Sequence, residues 1–304
     1  MDWSLGVHGR LHYLSETPLR LDYSPCATMR AALSVLCAAA CLLPGGCASV
    51  GEIERQLVFR PVTEDWRGYR PEILNPQELR IPIAGTEEHV HAWWVPARTE
   101  GAATILYLHG ARVNLSGSVF RIRGMRDSGY NVLAIDYRGF GRSSPALPSE
   151  ESVYEDAEAA WRWLLAREPE ARQRVIYGHS LGGAVAAELA ARHGGAAALV
   201  LESTFTNLRE VADQGLTSLL PLGALLSQRF DTREKLSRVR IPVVVMHGES
   251  DDMVPPAMAR ELYAVAAEPK RLLMVEGAGH RWVHARAGTQ LREAMMELAC
   301  LPRC

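Results

Sequence analysis

A serine between two glycines could act as a nucleophile toward an acyl group. The pentapeptide Gly178-His-Ser-Leu-Gly182 has the pattern G-x-S-x-G, and it stands between an apolar run that ends at Tyr177 and a helix-like run that starts at Leu181. A nucleophile on such a strand-to-helix turn has a strained backbone, and flanking glycines remove Cβ atoms that would collide. The competing interpretation is a Gly-rich loop without chemistry, so the partners of Ser180 must decide.

Ser180 needs a base to remove its proton and a carboxylate to orient that base. Downstream, Asp251 follows one apolar run, and His280 follows another inside the Gly-rich stretch Gly277-Ala-Gly-His280. The carboxylates of Asp252 and Glu202 are alternative acids. The alternative base, His284, falls where a final helix should begin.

Two backbone N–H groups could stabilise an oxyanion. One belongs to Leu181 at the start of the helix-like run, and the other to Ala111 in the loop after the run at residues 104–108. In that loop we expect His109 to be structural and Asn114 to hydrogen-bond across the loop. The side chain of Arg112 could face a substrate carboxylate or solvent.

The elements that must position these groups alternate between apolar runs and helix-length segments. Near-continuous apolar runs are typical of parallel strands buried on both faces, so the pattern predicts an α/β fold with a mostly parallel, doubly wound sheet and helices on both faces. Shorter runs at 57–59, 79–83 and 90–95 predict extended segments and an antiparallel opening to the sheet. The buried strands are expected at 104–108, 131–135, 175–177, 198–201, 241–246 and 271–275, and helices at 154–166 and 181–192.

Two further stretches are interpreted as structural. The long interval between Glu202 and Ile241 contains an apolar run, and it predicts a small helical cap at about residues 206–238 over the carboxyl edge of the sheet. A long surface crossover helix is the alternative. The stretch Asp136–Ser143 has glycines that suit a tight loop and charges that suit an internal ion pair.

The composition excludes several classes of function. With 304 residues, 48% hydrophobic, 22% charged and a net charge of −2, the chain is typical of one large globular domain. Its dispersed basic residues argue against nucleic-acid binding. No motif favours a metal or an organic cofactor, because the cysteines form no zinc-type pair with histidines. They are Cys26, Cys37, Cys41, Cys47, Cys300 and Cys304, and the last two could form a disulfide if the protein is exported.

The amino-terminal region has the pattern of an export signal. Met29-Arg30 precedes an apolar run at 31–43, which is shorter than the about twenty residues that span a bilayer, and a small-residue zone follows. Cys47 after two glycines resembles the lipobox of bacterial lipoproteins, although Pro44 departs from its usual aliphatic residue. We expect residues 1–28 to be an over-long start, 29–46 a signal peptide and Cys47 a lipid anchor. Cleavage after residues 38–40, giving a soluble exported protein, and an amino-terminal core helix are the alternatives.

As a set, these motifs resemble the α/β-hydrolase superfamily and, more narrowly, the Bem46-like, ABHD13- and ABHD17-like serine hydrolases that often carry the serine aminopeptidase S33 label. The resemblance covers about residues 55–300 and implies an α/β-hydrolase domain over 47–304. Its acid-loop spacing His-Gly-x-x-Asp-x-x-Val-Pro selects Asp251, so the implied triad is Ser180, Asp251 and His280. The motifs that carry it are Leu108-His-Gly110, Asp136 to Arg142, Gly178 to Gly183, Glu202 to Phe205, His247 to Pro255 and Gly279-His280.

The sequence therefore predicts a serine hydrolase that cleaves a carboxylic ester or thioester through an acyl-enzyme. The oxyanion hole would be formed by the N–H groups of Ala111 and Leu181. A serine aminopeptidase is one alternative, although it needs an acidic pocket for the substrate amine and no acidic cluster is evident near the cap. A catalytically silent envelope lipoprotein is the other. The expected partners are a small acyl ester or acylated substrate and a lipid membrane at the periplasmic or outer face.

Overall fold

A mixed sheet forms the centre of the computed structural model, which describes residues 46–213 and 226–299. Within these residues the sheet has eight strands, and the antiparallel opening predicted from the sequence is confirmed. The strands are β1 (Gln77–Pro82), β2 (His89–Val95), β3 (Thr104–Leu108), β4 (Asn131–Ile135), β5 (Arg174–His179), β6 (Ala198–Glu202), β7 (Val243–Gly248) and β8 (Lys270–Val275).

The order of the strands is β1-β2-β4-β3-β5-β6-β7-β8. Strand β2 runs antiparallel to both of its neighbours, and strands β3 to β8 are parallel to one another. Every residue of β3, β5, β6 and β7 is buried, which explains their almost unbroken apolar sequences. The parallel strands all end at one edge, and that edge carries the candidate site.

Helices cover both faces of the sheet, as predicted. Helices α3, α4 and α7 pack on one face, and α2 and α8 pack on the other. The described helices are α1 (Gly46–Phe59), α2 (Val119–Asp127), α3 (Glu150–Arg167), α4 (Leu181–Arg192), α5 (Leu208–Asp213), α6 (Thr232–Leu236), α7 (Pro256–Val265) and α8 (Val283–Ala299).

The extended segment predicted at residues 57–59 is wrong, because these residues form the last turn of α1. An apolar run of three residues has no measurable periodicity, so it cannot distinguish a strand from a helix end. The helical turn buries Phe59 against Phe230, whose ring centroid lies 5.8 Å away. The same helix reaches the cap interval, because Glu54 accepts hydrogen bonds from the backbone N–H groups of Ser227 and Gln228.

Several sequence predictions lie outside the described residues. They include the export signal up to residue 45, residues 214–225 of the predicted cap, and Cys300 and Cys304. Of the cap interval, helices α5 and α6 are described. Cys47 falls in the first turn of α1. None of the described helices is both long and apolar enough to cross a membrane.

Candidate active site

Ser180 occupies the sharp turn between β5 and α4 and has a left-handed backbone, with φ 55° and ψ −123°. The two flanking glycines are sterically required. A Cβ on Gly178 would lie 2.1 Å from the carbonyl oxygen of Gly182, and a Cβ on Gly182 would lie 2.1 Å from that of Leu108. Only glycine lets the backbone approach this closely. The half-buried Ser180 side chain is thereby held at the carboxyl edge of the sheet.

The structure brings Ser180, His280 and Asp251 into one chain of hydrogen-bonding distances. The Nε2 atom of His280 lies 3.0 Å from Ser180 Oγ, and its Nδ1 lies 2.8 Å from Asp251 Oδ2. The residues follow β5, β7 and β8, whose carboxyl ends meet at this edge. Of the alternatives from the sequence, Asp252 is exposed in the loop after β7, and Glu202 and His284 belong to a separate cluster.

Asp251 is buried and saturated with hydrogen-bond donors. Its Oδ1 accepts from the N–H groups of Met253 and Val254, each at 2.9 Å. Burial alone would raise the pKa of Asp251, but the hydrogen bonds from His247 and His280 hold it well below its ordinary value. The carboxylate therefore stays charged and accepts a hydrogen bond from the Nδ1–H of His280.

His247 is a second imidazole on the same carboxylate. Its Nε2 lies 3.1 Å from Asp251 Oδ2 and 2.9 Å from the carbonyl oxygen of Val254. Both neighbours can only accept, so Nε2 carries a hydrogen. The sequence motif contained His247, but its spacing alone did not indicate this contact.

The loop after β3 lies directly against Ser180. A Cβ built on Gly110 would be 3.1 Å from the Cβ of Ser180, which places the next residue, Ala111, beside the nucleophile. Within residues 46–213 and 226–299, the N–H of Ala111 donates no hydrogen bond. Leu181 is the first residue of α4, so its N–H has no intrahelical acceptor. Both predicted oxyanion donors are thus near Ser180.

His109 and Asn114 hold this loop, as the sequence suggested. The Nδ1 of His109 lies 2.7 Å from the carbonyl oxygen of Gly110. The Nδ2 of Asn114 donates to the carbonyl oxygens of Glu64 at 2.9 Å and Val62 at 3.3 Å. Asn114 therefore reaches beyond its own loop to the segment that connects α1 with the sheet.

The stretch Asp136–Ser143 forms no internal ion pair, contrary to expectation. Asp136 instead accepts from the Leu115 N–H at 2.9 Å and contacts His91 and His109. Burial alone would raise the pKa of Asp136, and these histidines lower it. Arg138 pairs with Asp156, at 2.6 Å, on helix α3. The charged side chains of this stretch therefore pair with residues of other elements.

A second buried cluster lies behind the candidate nucleophile and base. The guanidinium of Arg121 donates two hydrogen bonds to the carboxylate of Glu202, from Nε to Oε2 at 2.8 Å and from Nη2 to Oε1 at 3.2 Å. The hydroxyl of Tyr177 donates to Glu202 Oε2 at 2.7 Å. Burial would raise the pKa of Glu202, but Arg121 lowers it to about 2. Burial lowers the pKa of His284, at the start of α8, to about 4.

Arg121 and Glu202 of this cluster hold both the turn that carries Ser180 and the loop that carries His280. The backbone oxygen of Glu202 accepts from the Ser180 N–H at 2.9 Å, and its Oε1 accepts from the His284 N–H at 3.0 Å. Arg121 Nη2 donates to the carbonyl oxygen of Arg281 at 3.2 Å. The loop carrying His280 is therefore held at two points. Arg121 is the residue that sequence reasoning missed, since nothing in its helix marks a buried cation.

The mouth of the site combines arginines with exposed apolar side chains. Arg112 follows Ala111, Arg281 follows His280, and Arg60 ends the turn after α1. The rings of Phe120 and Trp282 lie 5.6 Å apart and are both exposed. Among the described residues, no group of three or more His, Cys, Asp or Glu side chains could hold a metal ion.

Comparison with known proteins gives consistent similarities. Residues 99–231 match the family model described as serine aminopeptidase, S33. The uncharacterized protein Rv2307c of Mycobacterium tuberculosis is 39% identical over 190 residues, 62% of this chain and 66% of that protein. The uncharacterized protein YfhR of Escherichia coli K12 is 30% identical over 217 residues, 68% of this chain and 75% of that protein.

A named enzyme and a solved structure are also similar. The lysophosphatidylserine lipase ABHD12 of Macaca fascicularis is 34% identical over 193 residues, 58% of this chain and 48% of the lipase. The chain thus spans about half the length of that enzyme and about two thirds of Rv2307c. The Pyrococcus furiosus esterase Pf2001 superposes with a TM-score of 0.62 at 20% identity, over 78% of this chain and 96% of the esterase. At that identity the likeness concerns the fold.

Proposed function

The chain belongs to the α/β-hydrolase superfamily, and on that premise we propose that it is a serine hydrolase that cleaves a carboxylic ester or thioester. The single observation that carries the proposal is the relay from Ser180 Oγ to His280 at 3.0 Å and from His280 to Asp251 at 2.8 Å. At these distances His280 can take the proton of the Ser180 hydroxyl while Asp251 orients the imidazole ring.

Ser180 Oγ attacks the acyl carbon while His280 Nε2 takes its proton. Asp251 holds the Nδ1–H of His280 and stabilises the imidazolium that forms. The imidazolium then protonates the leaving alcohol or thiol, which departs and leaves an acyl group on Ser180. In the second half, His280 takes a proton from water while the water oxygen adds to the acyl carbon. The intermediate then breaks its bond to Ser180 Oγ, which regains the proton from His280, and the carboxylic acid leaves.

The tetrahedral intermediate carries a negative charge on the former carbonyl oxygen. The N–H groups of Ala111 and Leu181 are the donors proposed to hold it, because the loop of Ala111 contacts Ser180 and Leu181 opens helix α4. Removing one such donor costs about 10²–10³ in kcat in a comparable enzyme. Both are backbone groups, so among the possible substitutions only proline would remove them directly.

The mouth supports an apolar acyl substrate over a peptide with a free amine. An aminopeptidase must attract an ammonium group, whereas the residue that follows His280 is the exposed Arg281, which carries a positive charge. The exposed rings of Phe120 and Trp282 offer apolar surface beside His280. The names of the similar lipase and esterase agree with this choice. An intact relay also argues against a catalytically silent scaffold.

We infer in addition that the enzyme works outside the cytoplasm, tethered through Cys47. Helix α1 begins beside this residue and ends at Phe59, whose carbonyl accepts a hydrogen bond from Arg112 N–H at 3.0 Å. Expression in a bacterium fed labelled palmitate should label the wild type, and Cys47→Ser should lose both the label and membrane fractionation. Equal labelling of the two proteins would reject the anchor.

The nucleophile is tested by hydrolysis of p-nitrophenyl esters and by labelling with a fluorophosphonate probe. Ser180→Ala should abolish both, and Ser237→Ala, at an exposed serine, serves as the matched control. A wild type that neither turns over the esters nor takes the label would defeat the proposal. A chain-length series from acetate to laurate, with a matched thioester, then defines the acyl preference, and a flat profile would argue against an apolar acyl site.

A further inference from the structure

His179 is a buried side chain to which the proposed mechanism gives no role. It is the last residue of β5, it directly precedes Ser180, and its Cα pairs with that of Glu202 on β6. Because alternate side chains of a strand point to the same face of the sheet, His179 follows Tyr177 to the face that carries helix α2 and Arg121. The imidazole therefore lies on the side of the sheet where the buried cluster supports the site.

The ring of His179 contacts the backbone of the proposed base. Its Nε2 lies 3.3 Å from the carbonyl oxygen of His280, and the centroids of the two imidazole rings lie 5.2 Å apart. A carbonyl oxygen can only accept, so Nε2 of His179 carries the hydrogen and donates it. The next carbonyl oxygen along the chain, that of Arg281, accepts from Arg121 Nη2 at 3.2 Å. Two consecutive carbonyl groups of the loop that carries the base are thus held by buried side chains.

The other ring nitrogen of His179 is a bare acceptor. Burial, and then the charge of Arg121, lower the pKa of His179 well below its ordinary value, so the ring stays neutral. With the hydrogen on Nε2, Nδ1 carries only a lone pair, and it is buried with no hydrogen-bond partner among the residues that the structure describes. An unpaired buried group of this kind costs about 1–3 kcal/mol. A histidine at this position therefore weakens the fold on one side of its ring and binds the His280 loop on the other.

The same ring lies against the loop of a proposed oxyanion donor. A Cβ built on Gly110 would lie 3.3 Å from His179 Nδ1 and 3.1 Å from the Cβ of Ser180. Gly110 precedes Ala111, whose N–H is one of the two proposed donors. The His179 side chain thus stands between the loop after β3 and the loop after β8, and the nucleophile is the next residue along the chain.

We propose that His179 is a positioning residue that sets the His280 imidazole relative to Ser180, through the hydrogen bond from its Nε2–H to the carbonyl oxygen of His280. Because Ser180 follows His179 directly, this bond ties the backbone of the base to that of the nucleophile. The distance it controls is the 3.0 Å between Ser180 Oγ and His280 Nε2. A displacement of about 1 Å can cost about 10²-fold in rate. The role rests on the proposed hydrolase function, since it concerns the same relay.

Three substitutions separate the two ring nitrogens of His179. The side-chain nitrogen of glutamine is as many bonds from Cβ as the histidine Nε2, and that of asparagine is as many bonds from Cβ as Nδ1. His179→Gln can therefore still donate toward the carbonyl oxygen of His280, whereas His179→Asn is too short and His179→Leu has no donor. The measured quantities are kcat and KM for p-nitrophenyl esters, with circular dichroism to establish that each variant is folded.

His179→Leu and His179→Asn should each lower kcat about 10²-fold with KM unchanged, because His280 acts as a base in both halves of the reaction. His179→Gln should stay within about tenfold of wild type, the size of one weakened hydrogen bond. His193→Leu, at the half-buried histidine that ends α4, is the matched control and should leave kcat unchanged. Equal losses in the three His179 variants, a higher kcat for asparagine than for glutamine, or full activity of His179→Leu would each overturn the proposal.

A second measurement does not depend on turnover. The Nδ1–H of His280, bonded to Asp251 at 2.8 Å, should give a proton NMR signal downfield of the backbone amides, and His280→Gln identifies it by its loss. The signal should persist in His179→Gln and disappear in His179→Asn and His179→Leu, because a displaced imidazole exchanges this proton with water. An unchanged signal in the asparagine and leucine variants would overturn the proposal, and if His179→Leu does not fold, the other two variants still decide.

The two measurements also distinguish this proposal from the proposed function. Should the wild type hydrolyse no ester, the hydrolase proposal fails by itself. The NMR signal would then still show whether His179 holds the imidazole of His280 in place.

Discussion

Asp251 and Glu202 are buried carboxylates at the ends of the neighbouring strands β7 and β6, yet their partners differ. Asp251 accepts from His280, which reaches Ser180 Oγ on its other side. Glu202 accepts from Arg121 and from Tyr177. Burial opposes ionisation of both carboxylates, and hydrogen bonds lower the pKa of both.

The partner decides what each carboxylate can do. An imidazole can gain and lose a proton near neutral pH, so a carboxylate beside it can support proton transfer. A guanidinium keeps its proton under all ordinary conditions, so a carboxylate beside it can only hold a position. Asp251 is therefore expected to serve the reaction, and Glu202 to fix the two segments that carry Ser180 and His280.

Asp251→Asn tests the first half of this comparison and has the largest expected effect among the substitutions that test it. The substitution removes the charge and leaves His280 Nδ1 without an anionic acceptor, so kcat should fall about 10³–10⁴-fold, as in a triad of the same arrangement. Steady-state hydrolysis of p-nitrophenyl esters measures it, with circular dichroism to establish folding. Asp252→Asn, one residue away and exposed, is the matched control, and an equal loss in both variants would contradict the assignment.

Arg121→Met tests the second half, and its main effect should be on stability. It leaves Glu202 charged and buried without its cation, which costs about 3–5 kcal/mol in the free energy of unfolding. Urea denaturation measures this loss. The double variant Arg121→Met, Glu202→Leu should recover part of it, because no buried charge remains. Glu78→Gln in the exposed pair with Arg142 should change stability by about 1 kcal/mol or less.

The difference between the two clusters also explains what the sequence could predict. The turn at Ser180, the loops of Asp251 and His280 and the buried strands are encoded in short stretches whose composition reflects local sterics and burial. Arg121 meets Glu202 across 81 positions of sequence, and a cation in helix α2 has no local sign of burial. The helix end at 57–59 also depends on a distant partner, Phe230, and it was predicted wrongly.

Acid should destabilise the protein through the Arg121 and Glu202 cluster in two stages. The pKa of His284 falls from 6.5 to about 4 on folding, so its contribution is present above pH 6.5 and lost as pH falls toward 4. The pKa of Glu202 falls from 4.5 to about 2, so its contribution is present above pH 4.5 and lost as pH falls through 2. The Glu202 part corresponds to roughly 3 kcal/mol.

Urea denaturation from pH 7 to pH 2.5 measures this dependence. Compared with wild type, Glu202→Gln should be less stable at pH 7, and its stability should vary less below pH 4.5. His284→Gln should flatten the upper interval instead. Parallel curves for wild type and Glu202→Gln below pH 4.5 would show that other carboxylates dominate acid unfolding.

His247→Gln should have the smallest effect, because it removes only one of several donors to Asp251. The N–H groups of Met253 and Val254 still hold Oδ1, and His280 still donates to Oδ2. We expect kcat to fall about tenfold, the size of one hydrogen bond to a charged group, with KM unchanged. His193→Gln, at a half-buried histidine paired with Glu158, is the matched control.

A loss in kcat as large as that of Asp251→Asn would mean that His247, rather than the backbone, sets the position of the carboxylate, whereas an unchanged kcat would leave His247 a packing residue. Either result sharpens the contrast with Glu202, whose side chain is held by Arg121, Tyr177 and the His284 N–H.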